Sequence, residues 1–204
     1  MIIERSAFAG MGKFGSRWLG DNWSEYRYMG YSVTGVMMHN IIGIPLAGAD
    51  ICGFLGNTTP ELCARWHVVG AFYPFSRNHN TLGSEAQEPY LFNTTYFQNT
   101  SLSYTSIMRQ AMRTKYSLMN YYYTELSMLH ETGGAFYKPV FFEFPDDANA
   151  YQDQTDNVML GKALKLSVNS HVEGQLSTKF YFPAGTWCNV FNVTTFANTC
   201  IKGP

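Results

Sequence analysis

The chain has 204 residues, 14% of them charged, with a formal net charge of -1 and a pI near 6.5. This balance excludes the basic surface that nucleic-acid binding requires, so no nucleic-acid partner is expected. No apolar run reaches the roughly eighteen residues of a membrane helix, which predicts a chain without a direct membrane segment.

Cysteines and glycosylation sequons together indicate an oxidising compartment. The four cysteines form two local pairs along the chain, and sequons begin at Asn57, Asn93, Asn99 and Asn192. Since no pair has the spacing of finger or ribbon sites, disulfides are favoured over the alternative, a zinc site. The N-terminus lacks a basic region followed by an apolar one, so no signal peptide is expected in it. The predicted localisation is the secretory route, whether lysosomal, vacuolar, secreted or cell-surface.

Three strand-like runs in the first eighty residues end in polar segments, at 18–22, 48–54 and 77–80. Residues 43–49 are apolar and small, which is typical of a short buried strand that neighbouring chain can approach closely. Alternation of such runs with helix-like stretches over residues 1–98 predicts parallel pairing. Because the strands of a parallel barrel deliver polar residues into one pocket, these three segments form the candidate site.

Two helices are predicted in the first two thirds of the chain. Thr59, Pro60 and Glu61 supply a hydroxyl cap, a first-turn proline and an acidic first turn for a helix that runs to about Gly70. A longer helix is predicted over 105–131, ended by the glycines at 133 and 134. Its apolar residues share one face and are taken to pack on a core rather than form a cofactor or membrane stripe; they are Met108, Met112, Met119, Tyr122, Leu126 and Leu129.

The C-terminal region differs from the rest of the chain in its pattern of aromatic residues. Aromatic runs at 140–145 and 179–183 read as strands, and a turn signal follows the second. We therefore predict an antiparallel β module after a domain boundary near residue 135, which gives domains of 1–135 and 136–204.

The motifs resemble the family 31 glycoside hydrolases, closest to the branch of lysosomal and intestinal α-glucosidases. The matching segments are RSAFAG at 5–10, WLGDN at 18–22, GADICGF at 48–54, ELCARW at 61–66 and YPFSRNHN at 73–80. Weaker similarity continues at 87–90, 142–145 and 181–187, so the resemblance covers about nine tenths of the chain.

The resemblance implies an α/β fold, the C-terminal half of a (β/α)8 barrel followed by the start of an antiparallel β-sandwich. It also implies a retaining α-glucosidase that releases terminal, non-reducing glucose from malto-oligosaccharides, with no cofactor and no metal. The α-glucoside oligosaccharide is then the expected partner. Asp21 occupies the position of the acid/base, and the family's nucleophile segment does not occur in residues 1–204. The 204-residue polypeptide is accordingly expected to be an inactive fragment.

Five further residues match positions that bind sugar in the family. Arg5, Asp50 and His79 would bind glucose hydroxyls through a guanidinium, a carboxylate and an imidazole. The aromatic side chains of Trp18 and Phe54 would wall the pocket.

Each of these assignments has a purely structural alternative. Asp21 could cap a helix that begins near Trp23, and Asp50 could form an ion pair with Arg5. His79 could be a core histidine, and the aromatic residues could simply fill the core.

The resemblance also implies a disulfide between Cys52 and Cys63; a second bond, between Cys188 and Cys200, is a guess. The sequon at Asn22 would place a glycan in the pocket mouth, so we expect it to be unmodified. The alternative function is a carbohydrate-binding or structural relic of the family without catalytic activity.

Overall fold

A computed structural model describes residues 2–96, 99–170, 177–190 and 200–204. Its first part contains five short strands, which pair in parallel within two small sheets, in the orders β1-β2-β3 and β4-β5. This confirms the parallel pairing predicted from the alternation of strand-like and helix-like stretches. The strands are β1 Ile3–Glu4, β2 Ser16–Trp18, β3 Ala47–Gly48, β4 Asp50–Ile51 and β5 Arg77–Asn78.

Two helices connect these strands. Helix α1 spans Tyr26–Ile41 between β2 and β3, and helix α2 spans Pro60–Gly70 between β4 and β5. Helix α2 has the predicted bounds. It begins after Thr59, whose Oγ1 accepts a hydrogen bond of 3.2 Å from the Leu62 main-chain N–H.

The buried strand predicted over 43–49 is only partly correct, since regular pairing is confined to β3. Gly43 instead has a φ of +81°, in the left-handed region, and turns the chain out of helix α1. The predicted close approach is present at Gly48, where a Cβ atom would lie 1.8 Å from the Phe75 carbonyl oxygen. Glycine at this position therefore lets the chain before β5 pack directly against β3.

The single helix predicted over 105–131 is two helices, α3 at Tyr104–Ser117 and α4 at Met119–Thr132. The chain leaves helical geometry at Leu118, which is buried against the core. Because each helix presents only its own short apolar side to the core, Met112 and Met119 are exposed on either side of the break. Gly133 ends α4, as predicted.

Before α3, strands β6 (Thr95–Tyr96) and β7 (Asn99–Ser103) pair in antiparallel fashion. Ser103 then starts α3 through a reciprocal capping box with Ser106.

The C-terminal region pairs in antiparallel fashion, in the orders β10-β9-β8 and β11-β12. The predicted strands at 140–145 and 179–183 are wrong: Val140–Phe142 is a 3-10 helix, and 179–183 has no regular structure. Their rings pack in a cluster with Trp187 instead of alternating across a sheet, with Phe144 and Phe182 both 5.9 Å from it. The strands are β8 Tyr137–Lys138, β9 Asn157–Leu160, β10 Leu164–Ser167, β11 Gly185–Cys188 and β12 Cys200–Gly203.

A shared core joins the two regions near residue 135. Asn40, at the end of α1, accepts the main-chain N–H groups of Phe136 and Tyr137 at 3.2 and 2.9 Å. The rings of Tyr122 and Phe136 lie 4.6 Å apart in the same core. Among the described residues, no helix is long and apolar enough for a bilayer span.

Candidate active site

Asp21 lies on the loop that follows β2, beside Arg5. Arg5 Nη2 is 3.5 Å from Asp21 Oδ2, and the Asp21 side chain remains 35% exposed. Gly20 has a φ of +86°, and a Cβ atom there would lie 3.3 Å from Arg5 Nε, closer than an ordinary van der Waals contact. Glycine therefore lets the Arg5 side chain pack closely on this loop. The helix-cap alternative for Asp21 is wrong, because α1 begins at Tyr26 without a side-chain cap.

Asp50 is completely buried and pairs with Arg77. Arg77 donates Nε–H to Asp50 Oδ1 at 2.9 Å and also donates Nη2–H to the same oxygen. The predicted alternative, an ion pair between Asp50 and Arg5, is therefore wrong: Arg77 reaches Asp50 from the neighbouring strand, and Arg5 reaches Asp21. Burial raises the pKa of Asp50 above its usual value, and the charges of Arg77 and His79 oppose this rise.

Asp50 and Trp18 leave two complementary polar atoms without a partner. Within the described part of the chain, Asp50 Oδ2 accepts no hydrogen bond and Trp18 Nε1 donates none. The indole is close enough to favour the Asp50 carboxylate electrostatically, although it makes no well-formed hydrogen bond to it. The Arg77 guanidinium carbon lies 5.2 Å from the Trp18 ring centroid, in cation–π contact. One buried acceptor and one buried donor are what an inserted hydroxyl would satisfy.

Phe54 and His79 form a second pair of side chains at this site. Their ring centroids are 5.2 Å apart with the planes tilted by 36°. His79 is exposed, so the core-histidine alternative is wrong for it, and Phe54 is half-buried. Both are available to contact a ligand that approaches Asp50.

Asn22 connects the Asp21 loop to the segment that carries Asp50 and Phe54. Its Nδ2 donates to the Asp50 carbonyl at 2.9 Å, while its Oδ1 and its own carbonyl both accept from the Phe54 N–H. The side chain is buried, with both amide atoms bonded. A glycan on Nδ2 would require this segment to open, which supports the expectation that the Asn22 sequon is unmodified.

The segment from 50 to 54 is also held covalently. Cys52 forms a disulfide with Cys63 of α2, as the resemblance implies, and Cys188 forms one with Cys200, the pairing that the sequence left as a guess. The four sulfurs are thus not available as thiolate ligands, even though the His67 ring lies beside the first disulfide. Cys52 itself has a φ of +78°, an uncommon conformation for a residue other than glycine.

Sequence reasoning named Arg77 only as part of a polar segment and missed it as the partner of Asp50. Asp50 and Arg77 are register partners in the parallel β4-β5 pair, and that register is visible only in the structure. It also missed Asn22 as a clamp, which no local pattern marks.

Two family models match this chain. The family 31 TIM-barrel domain of glycosyl hydrolases matches residues 1–125, and the family 31 C-terminal domain matches residues 133–202. The fold is thus that of part of a TIM barrel followed by the family's C-terminal domain.

Individual relatives agree with the family models. Lysosomal alpha-glucosidase of Bos taurus is 43% identical over 94% of this chain, and intestinal sucrase-isomaltase of Homo sapiens is 41% identical over 91%. The chain spans only 19% and 10% of the lengths of these relatives. The crystal structure of a glucosidase II alpha subunit, in its Glc1Man2-bound form, superposes with a TM-score of 0.83 at 28% identity. That match covers 99% of this chain and 22% of the other. The chain belongs to glycoside hydrolase family 31.

Proposed function

We propose that this chain supplies the acid/base and much of the glucose-binding site of a retaining α-glucosidase. Its substrate would be the terminal, non-reducing α-linked glucose of malto-oligosaccharides. The observation that carries the proposal is the pair of buried, unpartnered atoms, Asp50 Oδ2 and Trp18 Nε1. A sugar hydroxyl can accept from the indole N–H and donate to the carboxylate, whereas an apolar ligand would satisfy neither atom.

The proposed reaction uses Asp21 twice. As a carboxylic acid, Asp21 gives its proton to the glycosidic oxygen while the bond from that oxygen to the anomeric carbon breaks, and a second carboxylate bonds to that carbon. As a carboxylate, Asp21 then takes a proton from water while the water oxygen bonds to the anomeric carbon. The bond from that carbon to the second carboxylate breaks in the same step, which releases α-glucose and regenerates the carboxylate. The 35% exposure of the Asp21 side chain leaves it accessible to both the leaving group and water.

The remaining site residues orient the sugar. Arg5 lies beside Asp21 and can donate to a hydroxyl near the scissile bond. His79 and Phe54 line the approach to Asp50, the first as a hydrogen-bonding group and the second as an apolar wall. No cofactor or metal has a part in this scheme.

The second carboxylate is not assigned to any residue of this chain. We propose that a longer protein supplies it, which is consistent with the 19% share of a lysosomal relative that the chain covers. The 204-residue polypeptide alone is then expected to be inactive. Within the longer protein, residues 1–135 would be the C-terminal half of the (β/α)8 barrel, and residues 136–204 would begin an antiparallel β-sandwich.

A secretory-route location fits the same proposal. Both disulfides are of the kind that persist in oxidising compartments. The lysosomal alpha-glucosidases among the relatives point the same way. Disulfide-bonded, glycosylated protein recovered from the lysosome, the vacuole, the cell surface or the medium would support it, and reduced protein in the cytosol would contradict it.

The proposal is tested by Asp50→Asn in the complete protein, expressed from its own coding sequence. The change keeps the side-chain volume but replaces the Asp50 carboxylate by an amide, which has only one acceptor oxygen. The inhibition constant for glucose and the KM for maltose should therefore rise at least about tenfold. Asp146→Asn, which changes an exposed carboxylate in the C-terminal region, is the matched control and should leave both constants unchanged. A wild-type protein that binds glucose without hydrolysing maltose would identify the catalytically inactive relic instead.

A further inference from the structure

Gln87 lies outside the segments that carry the proposed site, yet its side chain is buried beneath them. It follows β5 along the chain and precedes the 3-10 helix at Pro89–Leu91. Its amide nitrogen, Nε2, is surrounded by four oxygen atoms within hydrogen-bonding distance. These are the carbonyl oxygens of Ile51 at 3.3 Å, Gly53 at 3.1 Å and His79 at 3.2 Å, and Asn78 Oδ1 at 3.0 Å.

The chemistry at this position requires a group with two hydrogen-bond donors. Three of the four surrounding atoms are main-chain carbonyls, which can only accept, and Asn78 Oδ1 is also an acceptor. Both protons of the Gln87 amide are therefore shared among four acceptors. The opposite rotamer of the amide would point Oε1 at the same four oxygens, so the orientation is fixed by electrostatics. Oε1 itself has no hydrogen-bond partner in the described part of the chain.

The four oxygens belong to the two segments that carry the proposed glucose site. Ile51 and Gly53 flank Cys52, between Asp50 and Phe54, while Asn78 and His79 directly follow Arg77. A reverse bond closes the arrangement, because Asn78 Nδ2 donates to the Gln87 carbonyl at 2.9 Å. One buried amide thus fixes the separation between the segment bearing Asp50 and Phe54 and the segment bearing Arg77 and His79.

We propose that Gln87 is a positioning residue that holds these two segments at the spacing at which Asp50 and His79 bind the same glucose. The inference rests on the proposed glucose site and adds to it a residue that does not touch the sugar. Loss of the amide donors would leave four buried acceptors facing one another, and the two segments would separate to find water. The sugar would then lose simultaneous contact with both sides of its pocket.

The sharpest test is Gln87→Glu in the complete protein, because the two side chains have the same shape. Ionised, the carboxylate faces four oxygen atoms and repels them; protonated, its hydroxyl restores one donor. A carboxyl group buried among acceptors has a raised pKa, so protonation falls within an accessible pH range. Asp50, Arg77 and His79 lie on the contacting segments and His67 on α2, and all four are present in wild type and variant. Dividing the variant kcat/KM by the wild-type value at each pH removes the pH dependence that the two proteins share.

At pH 7, the inhibition constant for glucose and KM for an aryl α-glucoside should rise together, by about ten- to a hundredfold. The dependence of rate on leaving-group acidity, which reports Asp21, should stay that of wild type. Between pH 7 and pH 5, the ratio of variant to wild-type kcat/KM should recover at least about fivefold. Gln110→Glu, on the exposed surface of α3, adds the same charge away from the pocket and should show neither effect.

Gln87→Met keeps the bulk without a buried charge and should weaken glucose binding with no recovery at low pH. Glucose binding and maltose hydrolysis by the wild-type protein test the proposed function, and the Gln87 variants test the positioning role. An unchanged inhibition constant in folded Gln87→Glu or Gln87→Met, with active wild type, would overturn the positioning role. Failure of both variants to fold would assign Gln87 a purely structural role, and a wild type that neither binds nor hydrolyses would overturn both proposals.

Discussion

Arg77 directs two N–H groups to one oxygen of Asp50, Oδ1, and leaves the other oxygen, Oδ2, unpaired and buried in the described part of the chain. A guanidinium that served only to neutralise the carboxylate would gain more by binding both oxygens in a fork. The one-sided arrangement opposes the rise in the Asp50 pKa that burial causes and leaves Oδ2 without a hydrogen-bond donor. The unpaired, buried oxygen lowers the stability of the unliganded protein, and the proposed role in binding a sugar hydroxyl would account for it.

This cost predicts a pH-dependent stability difference between Asp50→Asn and wild type. The pKa of Asp50 is raised in the folded state above its usual 3.8 by burial. The contribution of Asp50 to the free energy of unfolding is therefore greatest below pH 3.8, the usual pKa, and is lost as pH rises through the folded-state pKa. Unpairing Arg77 adds an offset that is constant, because guanidinium stays charged throughout.

The difference in Tm, Asp50→Asn minus wild type, should accordingly become more positive as pH rises from 3.5 to 7. Calorimetry at several pH values in this range measures it. Asp146→Asn provides the comparison for loss of one exposed carboxylate. A difference that stays flat or falls with rising pH would contradict a raised pKa for Asp50.

Asp21→Asn tests the acid/base assignment in the complete protein. The amide cannot donate a proton to a poor leaving group, so hydrolysis of maltose should fall by about a hundredfold or more. Glycosides with an activated aryl leaving group need no such proton, and their glycosylation step should be spared. Pre-steady-state bursts of the aryl product separate this step from hydrolysis of the glycosyl-enzyme. Equal losses on both classes of substrate would argue against Asp21 as the acid.

Local pattern was sufficient for features that depend on neighbours in sequence. The start of α2 at Thr59 follows from a hydroxyl cap and a proline, and the end of α4 follows from Gly133. The proximity of the segments after β4 and β5 also follows, because paired parallel strands end at one edge of a sheet.

Features that depend on distant atoms were not predictable in this way. Arg5 and Arg77 have the same chemistry, and only the register of β4 with β5 decides which one reaches Asp50. The break at Leu118 depends on where the core lies, not on a proline or glycine. Gln87 acts on main-chain carbonyls more than thirty residues earlier, which no side-chain motif records.

The two disulfides should differ in their effect on function. Replacing Cys52 and Cys63 together by alanine removes a bond between residues 11 apart in sequence. Replacing Cys188 and Cys200 removes a bond between residues 12 apart. In the chain-entropy model each loss costs about 2 to 3 kcal/mol, so chemical denaturation should show similar destabilisation for both variants. Only the first bond holds the segment with Asp50 and Phe54, so only its loss should raise KM for maltose. A similar KM increase in both variants would contradict this local role.

Asn22 should tolerate neither a glycan nor a carboxylate. In Asn22→Asp, one oxygen can still accept from the Phe54 N–H, but the other replaces a donor and faces the Asp50 carbonyl. The unfavourable contact should lower stability by about 1 to 3 kcal/mol and weaken glucose binding.

The glycan is tested with Ser24→Ala, which removes the sequon but leaves Asn22 and its buried hydrogen bonds in place. Because the Asn22 side chain is buried and its amide nitrogen donates to the Asp50 carbonyl at 2.9 Å, a sugar on that nitrogen would require the folded site to open. Tryptic peptides containing residue 22 should therefore carry no N-glycan in the wild-type protein, and Ser24→Ala should leave the number of occupied sites on the intact protein unchanged. Asn57→Gln, which removes an exposed sequon, is the comparison: if Asn57 carries a glycan, this variant should lose the mass of that glycan. A glycan detected on Asn22 in active enzyme would show that the segment from 50 to 54 is held without this amide.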